Sequence, residues 1–150
     1  MNKHPLLLII GLNIKTSLQI RDLTPSLYCD VSGQYSTFEH IYPKSKLNKT
    51  VHNDFHNIYR TSVYYNSLRS NYQYIDRLND NCSISHKNKK FVPRECDKGI
   101  IARALLYMSW KYGYKPFIEP NLLYNWTLRY KPTISEYNHN FIVKKFQGYD

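Results

Sequence analysis

Hydrophobic positions recur at helical intervals only in the last third of the chain. In DKGIIARALLYMSWKYG, residues 97–113, the positions Ile101, Ala104, Leu105, Met108 and Tyr112 fall three or four apart. That spacing predicts a helix with one face in a core, and Gly113 offers a left-handed stop. NLLYNWTLRY, residues 121–130, predicts a second short helix closed by Pro132. Thr133 and Glu136 then form a capping box ahead of Ile134, Tyr137, Phe141 and Ile142, and Gly148 ends a third helix.

The first half reads differently. PSLYCDVSG (25–33) and QYSTFEHIY (34–42) are short β-rich runs, and Ser32-Gly33 between them predicts a hairpin. PKSKLNKTVHND (43–54) and DRLNDNCSISHKNKK (76–90) are polar, basic loops. DFHNIYRTSVYYNSLRSNYQYI (54–75) has no clean period and reads as irregular chain entering a short helix near Tyr64–Arg69. Strands early and helices late predict an α+β fold in one domain, residues 1–150. Lys3 and the apolar run PLLLIIGLNI make residues 1–20 a signal-like or N-terminal element, too short to span a bilayer. Localisation is open, with secretion expected if that element acts as a signal.

Composition narrows the class of partner. Lysine and arginine exceed aspartate and glutamate by 21 − 11 = 10, which favours a polyanion such as nucleic acid. The 15 tyrosines supply rings that pack in a core or stack on bases, Tyr64, Tyr65, Tyr72 and Tyr74 among them. Trp110 and Trp126 read as packing residues. Cys29, Cys82 and Cys96 contain no CxxC pair, which excludes a four-thiolate zinc site and leaves one disulfide or three thiols. His52/His56 and Cys82/His86 are close pairs, but no further ligands arrive at zinc spacing.

The segment STFEHIYPKSKL (36–47) sets Glu39 beside His40, with lysines following. Phosphodiester hydrolysis needs a base, a cation to offset charge growing on phosphate, and groups to hold both. Histidine is the natural base near neutral pH, and Mg²⁺ takes one or two hard oxygen ligands from protein. His40 suits the base, and Glu39 with Asn66 suits the ion. Adjacent residues on a flat strand face opposite ways, so Glu39 and His40 share a site only where the strand bends or ends, and Pro43 favours an ending.

FEHIYPKS, DFHNIYRTSVYYNSLRSNY, FVPRECDKGIIARALLYMSWKYG and NWTLRYKPTISEYNHNFIVKKFQG together resemble the endonuclease I family, in the same order, over about residues 25–148. The resemblance implies a ββα-metal (His-Me finger) core with a short β-hairpin, long loops and C-terminal helices. It implies a Mg²⁺-dependent endonuclease, other divalent cations substituting, that cuts DNA and often RNA with little sequence preference and leaves 5′-phosphate ends. His40 matches the general base, and Glu39 and Asn66 match the metal ligands. Asp54, His56 and Asn57 match a block expected to brace the turn before Asn66. Arg69 is a candidate for phosphate contact or for bracing the loop that carries Asn66; Lys44, Lys98 and Arg103 are further candidates for nucleic-acid contact. Phe38 stands where the family usually has tryptophan, and the tail reads QGYD where the family continues further. A monomer is expected, with no membrane partner. The alternative is a non-catalytic nucleic-acid-binding protein on the same scaffold.

Overall fold

The computed structural model describes residues 25–29, 36–76 and 81–148. The expected turn at Ser32-Gly33 and the N-terminal element 1–20 lie outside them.

The strand carrying Glu39 and His40 has a different partner from the one expected. β1 (Ser36–His40) pairs antiparallel with β2 (Ile58–Ser62), Phe38 opposite Arg60 and His40 opposite Ile58. The IYRTS run is rich in β-branched and aromatic residues, but its five residues show no alternation because nearly all are buried. Residues 25–27 lie against β2 as well, through a parallel bridge between Ser26 and Arg60 and a 2.7 Å bond from the Leu27 amide to the Arg60 carbonyl. The described part of the first run therefore pairs with β2 and not with β1.

β2 leads directly into α1 (Val63–Arg69), whose first turn is capped by Ser62 accepting from the Tyr65 amide. A second, three-stranded sheet follows, with β5 (Lys90–Phe91) between parallel β3 (Gln73–Tyr74) and antiparallel β4 (Ile84–Ser85). Cys29 and Cys82 form a disulfide, which also removes Cys82 from any zinc pair with His86. Cys96 is an exposed free thiol.

The helices fall where their periodicity and caps put them. α2 (Lys98–Tyr112) ends on Gly113 at φ 73°, α3 (Pro120–Arg129) stops before Pro132, and α4 (Ile134–Gln147) is capped by Thr133 and ends on Gly148 at φ 90°. Ile101, Leu105 and Met108 are fully buried, in one core with Leu27, Tyr28, Ile41, Tyr74, Phe91 and Trp126. Gly99 lets α2 approach the end of α3: a Cβ there would stand 2.6 Å from the Tyr130 carbonyl oxygen.

The expected packing role of Trp110 fails, since the residue is exposed. α4 turns Ile134, Tyr137 and Phe141 to solvent. Its buried face is instead Glu136, His139 and Val143, because Arg103 on α2 draws Glu136 inward as an ion-pair partner. Among the described residues, no helix is long and apolar enough to cross a membrane.

Candidate active site

β1 ends at His40, and the chain bends at once through Ile41 and Tyr42. Asn57 fixes that bend from the other side. Its Oδ1 accepts from the Tyr42 amide at 2.6 Å, its Nδ2 donates to the Tyr42 carbonyl at 3.0 Å, and its own carbonyl accepts from Ile41. The bend answers the strand geometry: Glu39 and His40 both line one cavity of about 380 Å³, with Phe38, Pro43, Lys44, Ser45, Asn66, Ser70 and Asn71.

His40 is half-buried at the rim. Its Nε2 lies 2.7 Å from the His52 carbonyl, an acceptor only, so Nε2 carries the proton and donates. In the neutral ring Nδ1 is then the lone-pair nitrogen. Burial lowers the His40 pKa below 6.5, and Lys44, His52 and Arg69 nearby lower it further, outweighing the His52 carbonyl, which favours the charged ring. The ring is consequently neutral at pH 7 and able to accept a proton. His52 is anchored in turn, its Nε2 3.1 Å from the Leu47 carbonyl.

Glu39 is 1% exposed, and its Oε1 is ion-paired with Arg69 and accepts from the Tyr28 hydroxyl at 3.0 Å. Burial pushes its carboxyl upward in pKa, opposed by the Arg69 guanidinium and the Tyr28 hydroxyl. Asn66 is presented by α1, where its Nδ2 donates to the Phe38 carbonyl at 3.0 Å. That bond leaves the amide oxygen as the acceptor of the side chain, beside the residue pair it was expected to join.

The basic candidates separate. Lys44 lines the cavity. Arg69 does not present its charge there: it is 1% exposed, bonds Glu39 and the carbonyls of His40, Ile41 and Tyr72, and lies over the Tyr74 ring. These bonds tie the helix that carries Asn66 to the end of β1. Lys98 is buried between Asp76 and Glu95, and Arg103 bonds Glu136 and the Tyr130 carbonyl; neither lines this cavity. Further along, Lys90 bonds Gln73 and Arg94 pairs with Asp97.

The Asp54–Asn57 block braces the turn. Asp54 accepts from the His56 amide, from Tyr107 and Tyr112 on α2, and from Gln147 at the end of α4. Gln147 also accepts from the Phe55 amide at 2.9 Å. Burial alone would raise the Asp54 pKa, but these donors hold it below the usual carboxylate range. Residues far apart in the chain thus lock the loop that supplies Asn57.

Residues 26–150 match the Endonuclease I family. The chain belongs to the endonuclease I family. Among curated proteins, none matches it significantly. Membership makes the protein a nuclease-family hydrolase with nucleic acid as the implied substrate, on a mixed α+β fold. Nucleases of this family commonly use divalent metals. One carboxylate and one amide oxygen beside a cavity are hard donors that suit a cation keeping most of its water. Among the described residues no group of three or more His, Cys, Asp or Glu side chains is arranged for a metal. Tyr28, Tyr74 and His52 bond the residues of the candidate site without a local motif to mark them. Only the Cys29–Cys82 link hints that Tyr28 is brought inward.

Proposed function

We propose that this chain is a Mg²⁺-dependent endonuclease that hydrolyses phosphodiester bonds of DNA, and of RNA, without strong sequence preference. The reading rests on one observation: His40, Glu39, Asn66 and Lys44 line a single cavity. The β1–β2–α1 unit carrying these residues is consistent with a ββα-metal core. Glu39 and Asn66 would hold the Mg²⁺, which when bound offsets the negative charge that grows on the phosphate.

His40 Nδ1 accepts a proton from water as its oxygen attacks phosphorus, and the His52 carbonyl stabilises the imidazolium that forms through Nε2–H. The phosphorus–O3′ bond breaks, the departing oxygen takes a proton from solvent, and the products end in 5′-phosphate and 3′-hydroxyl. Lys44 contributes positive charge at the cavity mouth, where it meets a phosphate and not a base edge. Contacts of that kind would account for weak sequence preference.

Incubation of supercoiled plasmid with the purified protein, in MgCl₂ or in EDTA, tests the proposal. Nicking is expected with MgCl₂ only, and His40→Ala is expected to lose about 10²–10⁴-fold in rate while its melting temperature stays close to wild type. Salt-sensitive binding with no nicking would establish the non-catalytic alternative.

A further inference from the structure

We infer that Tyr28 is a positioning residue for the cation site: its hydroxyl holds the Glu39 carboxylate in the orientation that leaves one oxygen for the ion. The inference rests on the proposed role of Glu39 as a metal ligand. Both inward donors, the Arg69 guanidinium and the Tyr28 hydroxyl, meet the same carboxylate oxygen, Oε1. Oε2 is the oxygen those bonds leave for a cation. A single ion pair would allow the carboxylate to swing about its contact; two donors arriving from different elements fix its plane.

The hydroxyl is itself held. Tyr28 and Tyr74 place their hydroxyl oxygens 2.7 Å apart, and each phenol has one hydrogen. Tyr28 donates to Glu39, so the 2.7 Å bond is donated by Tyr74, whose hydroxyl also lies 3.5 Å from the Ile41 carbonyl. The Tyr74 ring also lies under the Arg69 guanidinium, its centroid 4.5 Å away. Arg69, Tyr28 and Tyr74 therefore form one buried unit around Oε1.

The backbone of Tyr28 is held to match. It adopts φ 63°, a left-handed conformation that a bulky non-glycine residue takes only under constraint. Its amide donates to Asp97 at 2.8 Å, Asp97 is clamped by Arg94, and the next residue is tied to Cys82. The ring packs edge-on to Phe91, centroids 4.8 Å apart. These constraints converge on a side chain whose polar atom meets Glu39 and Tyr74. Groups that orient a metal ligand in this way characteristically change metal affinity when removed.

Tyr28→Phe deletes the hydroxyl and keeps the ring. The probe is MgCl₂ alone, read as the rise of melting temperature with Mg²⁺ concentration in the absence of nucleic acid. We expect the half-saturating Mg²⁺ concentration to rise about tenfold in Tyr28→Phe, with the same displacement in the Mg²⁺ dependence of plasmid nicking and little change in rate at saturating Mg²⁺. Tyr74→Phe should shift it less in the same direction, and the double variant should resemble Tyr28→Phe, since Tyr74 acts through Tyr28. An unchanged Mg²⁺ requirement in folded Tyr28→Phe, while Glu39→Gln abolishes the Mg²⁺ response, overturns the role of Tyr28 and leaves Glu39 as the ligand. A Mg²⁺ response unaffected by Glu39→Gln overturns the ligand assignment as well.

Discussion

Two of the arginine–carboxylate pairs contrast most sharply. Arg69 with Glu39 sits wholly inside, under the candidate active site; Arg103 with Glu136 joins α2 to α4, with the arginine a quarter exposed. Both arginines also bond main-chain carbonyls, so each works as a brace. The surroundings differ. At Glu39 the pair is covered by Tyr28 and Tyr74 on one side and meets the cavity on the other, whereas Glu136 spends both oxygens on Arg103. The same chemistry joins two helices in one place and, in the other, holds the carboxylate proposed as a cation ligand. A buried ion pair is weak evidence for stability, because desolvation of the charges offsets their attraction.

Breaking the pairs should separate these roles. Arg69→Met leaves a carboxylate buried without its counter-charge and is expected to cost about 3–5 kcal/mol of unfolding free energy, measured by urea denaturation at pH 7. His139 on α4 offers a second contrast within the scaffold. It is buried against the Tyr59 ring, and neither ring nitrogen makes a satisfactory hydrogen bond. Burial first, then neighbouring His56, lowers its pKa to about 4 against the opposing Ile58 backbone. A depressed folded-state value means that stability is complete above pH 6.5 and is lost as pH falls toward 4. The loss is on the order of 3 kcal/mol. His139→Phe should flatten that part of the stability–pH curve, and parallel curves for variant and wild type would refute the assignment.

Smaller effects sharpen the comparison further. Arg103→Met should cost less than Arg69→Met, on the order of 2 kcal/mol, because the arginine is a quarter exposed and Glu136 lies nearer solvent than Glu39, and it should leave the Mg²⁺ requirement alone. Equal losses for Arg69→Met and Arg103→Met would erase the distinction drawn between the pairs. The smallest effect concerns His40. Burial first, then the neighbouring positive charges, lowers its pKa, so the acidic limb of kcat/KM against pH should lie below 6.5. Lys44→Ala removes one of the positive charges that depress it and should move the limb upward.

Legibility follows the range of the forces involved. The ends of α2 and α4 were readable because caps and left-handed glycines act within a turn, and the buried stripe of α2 was readable because its period is local. Which face of α4 is buried was not legible from its own residues: Ile134, Tyr137 and Phe141 face solvent, and Glu136 turns inward to Arg103 on another helix. β2 was missed because a strand buried throughout shows no alternation, and its pairing with β1 is set by residues that meet only after the loop between them folds.

The chain's own order of residues determined the helices, the family, and the set Glu39, His40 and Asn66 as chemically apt for phosphate hydrolysis with a hard cation. The folded molecule alone decided that β1 ends and bends where both members of the pair reach one cavity. It also decided that Arg69 turns inward to Glu39, and that Tyr28 arrives from outside any motif to bond the same carboxylate. Local structure is written in neighbouring side chains, while the direction in which a buried charge points depends on partners distant along the chain, because removing it from water demands that they be found.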